Sequence, residues 1–273
     1  MTEQKQEQKP DPHPIISSFE LKDKLLAEGE IRPLVNIMSK FPSLDYAIEN
    51  FHDGELIAVS GYTKHGKTTF CQTLTKNFAE QQYFSLWFSY EVTPRQFLNS
   101  FDDADLPLFF VPDGLVARSM EWVERKILES LKKYNTRIVF VDHLHYLFDM
   151  VTKQNISLTI GTVVRALKRI AVNNKIIIFL LCHTGKPITD GGELNHGAIR
   201  DSSFVAQESD CVILVSRTGN NEGQIKVEFH RRTGCFQRVV PIKKVGKYFH
   251  EMTREEEGDY SEGFKKGGKP WQS

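Results

Sequence analysis

Residues 56–70 read LIAVSGYTKHGKTTF, which is an apolar strand-like run followed by a glycine-rich loop and a helix-like segment. The loop, Gly61–Thr68, matches the pattern GxxxxGK[ST] at every fixed position. Glycines let the backbone wrap closely around a phosphate, and the N–H groups at the start of the helix point at the anion. The pattern therefore predicts a nucleoside triphosphate site, in which Lys67 contacts the β- and γ-phosphates and Thr68 is a ligand of Mg²⁺.

Outward from this loop, short apolar runs alternate with helix-spaced patterns. The runs are rich in β-branched and aromatic residues, as strands buried on both faces are. The predicted strands are Leu56–Ser60, Phe84–Ser89, Leu108–Val111, Arg137–Val141, Lys175–Leu181 and Cys211–Val215. The predicted helices between them are Lys67–Glu80, Ser119–Tyr134 and Leu158–Val172. This alternation predicts an α/β fold with a mostly parallel sheet.

The two ends of the domain differ in pattern from its centre. After residue 215, the segments Gln224–His230, Arg238–Lys243 and Lys247–His250 alternate in polarity and predict an antiparallel extension of the same sheet. Ahead of the domain, Ser17–Glu28 has apolar residues at helical spacing. It predicts a short amphipathic helix that packs either on its own core or on a neighbouring subunit.

Three polar residues follow predicted strands, and the carboxyl ends of parallel strands meet at one edge of a sheet. Asp142 ends one run, where a carboxylate orders the Mg²⁺ shell. Glu91 follows another and is a candidate for orienting or deprotonating the attacking water, the alternative being an exposed residue before a turn. His183 is a candidate contact for the γ-phosphate, the alternative being an ordinary core or surface histidine.

Composition excludes several classes of protein. The 273 residues include 35 Lys plus Arg and 35 Asp plus Glu, so the zero formal charge argues against a general polycationic coat for nucleic acid and leaves room for a local basic track. No apolar run reaches the roughly 18 residues of a membrane span. The polar N-terminus lacks the apolar core of a signal peptide, so we expect a cytoplasmic protein. Four cysteines without a CxxC pair indicate reduced thiols.

Several stretches together resemble the superfamily 4 ring helicases, which include the RecA-like motors of DnaB, phage gene 4 helicases and Twinkle. The resemblance runs from Phe41 to Ile242, and its segments are FPSLDYAIENFHDGELIAVSGYTKHGKTTF, LWFSYEVTPRQF, IVFVDHLHYL, IIIFLLCHTGKP, AIRDSSFVAQESDCVILVSR and VEFHRRTGCFQRVVP. It implies a RecA-like P-loop NTPase core that uses ATP and Mg²⁺. The residues implied to bind the ATP cofactor are Gly61, Tyr62, Thr63, Lys64, His65, Gly66, Lys67, Thr68 and Thr69.

The same resemblance implies roles for individual residues. Glu91 matches the family's catalytic glutamate. Asp142 matches the aspartate that binds Mg²⁺, and Thr68 matches the residue whose hydroxyl is a ligand of Mg²⁺. His183 matches the sensor position, and Arg232 matches the arginine finger that enters the active site of the next subunit. The family commonly has lysine where His230 stands, which weakens any phosphate role for that residue.

Assembly and nucleic-acid binding are implied as well. In a homo-oligomeric ring, expected to be a hexamer, the loop 184–202 would line a central channel in which Lys186 and Arg200 contact single-stranded DNA, with His196 in the same loop. A surface loop without that role is the alternative. We expect polar tails over 1–14 and 253–273, a linker helix and lead-in over 15–40, and a RecA-like ATPase motor over 41–252.

The expected function is that of an ATP-dependent DNA helicase motor that hydrolyses ATP at subunit interfaces and translocates on single-stranded DNA during replication. The main alternative is a RecA- or KaiC-like ATPase that acts as a non-unwinding regulator, recombination or loader protein. A small-molecule kinase would also use Lys67 and Mg²⁺, but the sequence has no Arg-rich lid segment. A degenerate subunit that only binds nucleotide is disfavoured because every catalytic residue type is present.

Overall fold

The structure is a computed structural model that describes residues 15–30, 32–114, 119–144, 156–183, 203–253 and 256. It divides into two compact units, residues 1–34 and residues 35–273. The α-helices are α1 (Ser18–Ala27), α2 (Pro42–Ile48), α3 (Lys67–Ala79), α4 (Pro94–Asn99), α5 (Met120–Tyr134), α6 (Ile156–Asn174) and α7 (Ser203–Glu208). The strands are β1 (Asn36–Ile37), β2 (Phe51–His52), β3 (Leu56–Ser60), β4 (Ser85–Ser89), β5 (Phe109–Phe110), β6 (Ile138–Asp142), β7 (Ile177–Leu181), β8 (Cys211–Arg217), β9 (Glu222–His230), β10 (Phe236–Val245) and β11 (Tyr248–Glu251).

The first unit contains helix α1, which confirms the helix predicted near Ser17–Glu28. A capping box fixes its start. The Ser17 hydroxyl accepts the backbone N–H of Glu20 at 3.2 Å, and the Glu20 carboxylate accepts the backbone N–H of Ser17 at 2.7 Å. None of the residues of α1 is buried, and Phe19 is 79% exposed. The helix is thus defined by its own local capping.

The second unit is built on a nine-stranded sheet in the order β11-β10-β9-β8-β3-β7-β6-β4-β5. All neighbours from β8 to β5 pair in parallel, whereas β8-β9, β9-β10 and β10-β11 pair antiparallel. Both the predicted mostly parallel sheet and the predicted antiparallel extension are confirmed. A separate two-stranded pair, β1-β2, was not predicted.

The central strands are buried on both faces, which explains their continuous apolar sequences. Side chains alternate between the faces along each strand. On one face, Trp87, Phe140 and Phe179 stack in a row, with ring centroids 4.5 Å apart for the first pair and 4.8 Å for the second. On the other face, α5 and α6 cover Val139 and Ile178. The sheet is therefore a rigid support between two apolar layers.

This topology brings the carboxyl ends of β3, β4, β6 and β7 to one edge of the sheet, where the glycine-rich loop leaves β3. The amino end of β3 and the end of β9 lie at the opposite edge, five residues of β3 away, which is about 16 Å at 3.3 Å per residue. In the described part of the chain, no helix is both long enough and apolar enough for a bilayer.

Candidate nucleotide and metal site

Two glycines allow the loop between β3 and α3 to take its shape. Gly66 precedes the first residue of α3 with φ +94°, a left-handed conformation, and a Cβ there would lie 2.8 Å from the Phe249 ring. At Gly61 a Cβ would lie 2.2 Å from the carbonyl oxygen of Val215. Any other residue at either position would displace its neighbours, so the pattern recognised in the sequence has a steric basis.

Lys67, the first residue of α3, is a buried cation with only 6% of its surface exposed. Its Nζ donates to the carbonyl oxygens of Gly61 and Tyr62, each at 3.0 Å. Burial lowers the pKa of Lys67, while the negative charges of Glu91 and Asp142 act in the opposite direction. Among the described residues it forms no ion pair, so the loop holds a positive charge that an anion can neutralise.

Thr68 and Asp142 are brought together as the sequence predicts. The Thr68 hydroxyl donates to Oδ2 of Asp142 at 2.9 Å, and Asp142 is 2% exposed. Burial raises the pKa of Asp142 to about 6; the Thr68 hydrogen bond opposes the shift and the charge of Glu91 adds to it. One hydroxyl and one carboxylate oxygen next to a phosphate-binding loop fit Mg²⁺, which prefers oxygen ligands and keeps several waters.

Glu91 and His183 lie together at the same edge, with a third residue between them. His143 follows Asp142 directly, and its Nδ1 lies 3.5 Å from Oε2 of Glu91. The rings of His143 and His183 meet edge to face with centroids 4.4 Å apart. The ligand atoms of Glu91, His143 and His183 all lie within 4.8 Å of one another. Nothing in the sequence patterns singled out His143, although its place after a strand-end aspartate was a usable signal.

Arg232 does not join this cluster. Its Nε donates to Oε1 of Glu55 at 2.9 Å, and its terminal nitrogen donates to the carbonyl oxygens of Ile48 at 2.8 Å and Asn50 at 2.7 Å. Glu55 precedes β3, so Arg232 lies at the sheet edge opposite the loop of its own chain. Its side chain is 29% exposed. A role for Arg232 in the site of a neighbouring subunit stays a prediction.

His230 is enclosed at that same edge. It is 1% exposed, its Nε2 lies 3.2 Å from Oε1 of Glu55, and its Nδ1 lies 2.9 Å from the Thr233 hydroxyl. These contacts place it in the structural support of Arg232. Sequence reasoning also missed Glu55, which binds both residues, because a single glutamate before a strand has no motif around it.

The other residues of the predicted site lie in several places. Lys64, His65, Gly66 and Thr69 line a cavity of about 300 Å³ on one side of the loop. The opposite wall comes from the β8–β11 region, namely Ser216, Arg217, Asn220, Asn221, Glu222, Gly223, Lys244 and Phe249. Tyr62 packs edge to face on His65 at 5.3 Å. The predicted DNA contacts Lys186 and Arg200, and His196 beside them, lie outside the described residues.

Comparison with known proteins shows what this chain is similar to in family and fold. A family profile described as an AAA domain matches residues 29–188. A curated relative, the "Probable replicative DNA helicase" of Trieres chinensis, is 22% identical over 271 aligned positions, which cover 84% of this chain and 59% of the relative. The chain thus spans about three fifths of that relative's length.

Two solved structures share the fold. One is described as the structure of a DnaB-like replicative helicase and its interactions with primase. It has a TM-score of 0.72 at 15% identity, and the match covers 89% of this chain and 68% of that one. A solved ATPase domain has a TM-score of 0.71 at 14% identity, covering 86% of this chain and 98% of that one. The resemblance read from the sequence and the expected RecA-like architecture are both confirmed.

Proposed function

Since the chain belongs to the AAA domain family, whose profile covers residues 29–188, we propose that it is an ATP-hydrolysing motor of the DnaB-like type that translocates on single-stranded DNA during replication. The fold is that of a replicative helicase ATPase domain. The observation that carries the proposal is the buried Lys67, which forms no ion pair with any described residue, beside the Thr68–Asp142 pair, because that combination suits a magnesium-bound triphosphate.

The chemistry follows from the positions of the side chains. Lys67 would exchange its two carbonyl acceptors for phosphate oxygens and stabilise the charge that builds up on the γ-phosphate. Thr68 and Asp142 would hold Mg²⁺, which neutralises phosphate charge when it is bound. Glu91 is partly exposed at the same edge, where its carboxylate would orient the attacking water and accept its proton. His183 would contact the γ-phosphate from the end of β7.

The cavity beside the loop offers room for the rest of the nucleotide. Phe249 presents an aromatic ring, Arg217 and Lys244 present cations, and Asn220 and Asn221 present amides at its wall. The Arg217 backbone N–H donates to Nδ1 of His65 at 3.1 Å, which ties this wall to the loop. We assign the ribose and base to this cavity.

Assembly completes the proposal. In a homo-oligomeric ring, expected to be a hexamer, Arg232 of each subunit would reach the phosphates bound by the next one, so that hydrolysis depends on assembly. The loop 184–202, with Lys186 and Arg200, would contact single-stranded DNA in a largely sequence-independent and salt-sensitive way. The proposed location is the cytoplasm, at sites of DNA replication.

The test is steady-state ATPase activity with and without single-stranded DNA, at two protein concentrations, with Lys67→Ala as the blank. We expect DNA to stimulate hydrolysis and the activity per subunit to rise with concentration. An unwinding assay on a forked duplex then separates a helicase from a loader, which would hydrolyse ATP and leave the strands paired. Activity that is indifferent to both DNA and concentration would contradict the motor and favour a non-unwinding regulatory ATPase.

A further inference from the structure

Glu91, His143 and His183 are three potential metal ligands on three adjacent strands. Strands β7, β6 and β4 are neighbours in the sheet, and each is followed by one of these residues at the edge that holds the glycine-rich loop. Neighbouring strands lie about 4.8 Å apart. Three ligating side chains at the ends of three consecutive strands therefore converge because of the sheet's register.

The distances are close to those that a bound dication requires. A tetrahedral ion with bonds of about 2.0–2.1 Å holds its ligand atoms about 3.3 Å apart. Nδ1 of His143 and Oε2 of Glu91 are already 3.5 Å apart, and one ligand atom from each of the three residues lies within 4.8 Å of the other two. Glu91 is partly exposed, so a small side-chain rotation would close the remaining gap.

The donor set differs from that of the Mg²⁺ site. Thr68 and Asp142 offer only oxygen, whereas Glu91, His143 and His183 offer two imidazole nitrogens and one carboxylate oxygen. Imidazole suits Zn²⁺, Co²⁺, Ni²⁺ and Cu²⁺, and two histidines with one carboxylate leave positions open for water or substrate. Mg²⁺ favours oxygen ligands and octahedral geometry, so it competes poorly for such a set.

We propose that Glu91, His143 and His183 form a second cation site, which binds a transition-metal dication such as Zn²⁺ or Co²⁺ and leaves a coordination position open toward the nucleotide loop. The site is defined by these three side chains and does not depend on the motor function. One consequence does rest on the proposed function: a metal bound by Glu91 removes that carboxylate from the attacking water, so Zn²⁺ would inhibit hydrolysis reversibly.

The experiment titrates the full, nucleotide-free chain, freed of any polyhistidine tag, with Co²⁺ in excess Mg²⁺ and follows the visible d–d absorption. We expect one Co²⁺ per chain, with the intense bands of four- or five-coordinate cobalt and no thiolate charge-transfer band. His143→Gln and His183→Gln should each weaken Co²⁺ binding by more than about 100-fold, because loss of a direct ligand exceeds the 10–100-fold effect of an outer-shell partner. The matched control is His250→Gln, at an exposed position on β11, which should bind like the wild type.

Three results would overturn the proposal: Co²⁺ binding that persists in both histidine variants, displacement of Co²⁺ by Mg²⁺, or a thiolate band from Cys182. Thermal unfolding by circular dichroism checks that each variant is folded. His143 is buried, so if His143→Gln does not fold, the partly exposed His183 and Glu91 decide through His183→Gln and Glu91→Gln. If the chain bound Co²⁺ in this way but did not hydrolyse ATP, the proposed metal site would stand and the proposed motor function would be wrong.

Discussion

The two ends of the parallel strands differ in how completely their buried charged groups are paired with other groups of the protein. At the carboxyl ends, Lys67 donates to the backbone carbonyls of Gly61 and Tyr62 and forms no ion pair within the described ranges, and Asp142 accepts a hydrogen bond from the Thr68 hydroxyl. Burial moves both groups toward neutrality, since it lowers the pKa of Lys67 and raises the pKa of Asp142 to about 6. This end keeps charges that are incompletely satisfied.

At the amino end of β3, Glu55 is fully engaged. Its carboxylate accepts from Arg232 Nε at 2.9 Å and from the backbone N–H of His52 at 2.9 Å, and it lies 3.2 Å from Nε2 of His230. Burial raises the pKa of Glu55, but the hydrogen bonds from His230, His52 and Arg232 outweigh it, so that the pKa lies below its ordinary value. Here the protein itself supplies every partner.

The difference separates binding from stability. Incompletely paired buried charges are costly in the free protein and favour binding of an ion that completes them, as at many functional sites. A carboxylate with several hydrogen bonds is favourable in place, and removing one partner is destabilising. Substitutions at the carboxyl ends should therefore change activity, and those around Glu55 should change stability. Arg232 is the exception if it contacts Glu55 in its own subunit and also reaches the phosphates in the site of a neighbouring subunit.

The largest expected effect tests that exception. Arg232→Ala should lower ATP turnover by roughly 10³–10⁵-fold, the range found for arginine fingers, because phosphate charge in the neighbouring site loses its stabilising partner. Mixing Arg232→Ala with Lys67→Ala at equal amounts should restore activity at about a quarter of the interfaces, those that join an intact loop to an intact finger. Steady-state ATPase assays of each variant and of the mixture measure this.

The control is Arg238→Ala, which removes an exposed arginine of β10 and should leave turnover unchanged. Circular dichroism must show that Arg232→Ala is folded, since it loses its contacts with Glu55, Ile48 and Asn50. A mixture as inactive as its two components would show that Arg232 does not act between subunits, and its role would be confined to holding Glu55.

Glu91→Gln should lower turnover by roughly 10²–10⁴-fold, the usual contribution of a general base, because an amide cannot accept the proton of the attacking water. Nucleotide affinity should hold, since Lys67, Thr68 and Asp142 are unchanged. Turnover and equilibrium binding of a fluorescent ATP analogue measure the two effects. Glu121→Gln, on the exposed surface of α5, is the matched control, and equal losses in binding and turnover would argue against a role as base.

The effect of Asp142→Asn on the free energy of unfolding should change sign when magnesium and ATP bind. The pKa of Asp142 rises from 3.8 to about 6, so the ligand-free protein loses stability as pH rises through about 6, in total about 3 kcal/mol. At pH 8 the substitution should therefore raise the free energy of unfolding by about that much, yet abolish the stabilisation by magnesium and ATP. Urea unfolding with and without magnesium and ATP measures the two effects. If the variant were less stable than the wild type without ligand, the raised pKa of the buried Asp142 carboxyl would be contradicted.

The sequence allowed most of the central sheet to be predicted, together with the position of Thr68 and Asp142 at one edge of it. The strands are continuous apolar runs, and the loop has fixed glycines whose steric need the structure explains, so β3, β4, β6, β7 and the Thr68–Asp142 contact could be inferred from local pattern. Helix α4 was missed although Thr93 and Gln96 form a capping box at its start, a signal that was present and unused. Helix α2 has no hydrogen-bonded side-chain cap and offered a weaker signal.

The parts that could not be predicted depend on contacts distant in sequence. Glu55 and Arg232 are 177 positions apart, and the pairing of β3 with β8 and of β8 with β9 brings the end of β9 near the start of β3. His143 gains its meaning from β4 and β7, which place Glu91 and His183 on either side of it. Pattern within a segment identifies elements and motifs; it does not show which side chains share an edge until the strand order is known.

The smallest expected effect comes from a substitution at the amino end of β3, away from the nucleotide site. Glu55→Gln should lower the free energy of unfolding by about 1.5 kcal/mol at pH 7, because hydrogen bonds to a charged carboxylate contribute roughly 1.5–3 kcal/mol each and the amide retains part of them. The pKa of Glu55 lies below its ordinary 4.5, so its stabilisation is present above that pH and is lost as pH falls through the lower folded value. The difference between variant and wild type should therefore shrink on acidification.

Urea unfolding between pH 7 and pH 3 measures this difference, with Glu121→Gln as the exposed control. Nucleotide affinity should be unaffected, because Glu55 lies a full strand length from Lys67. If Glu55→Gln instead weakened nucleotide binding as strongly as it weakened folding, the two ends of the strands would be coupled through β3 itself, and the separation of binding from stability would be wrong. If its effect appeared only in turnover of the assembled protein, Glu55 would act by positioning Arg232 for the neighbouring subunit.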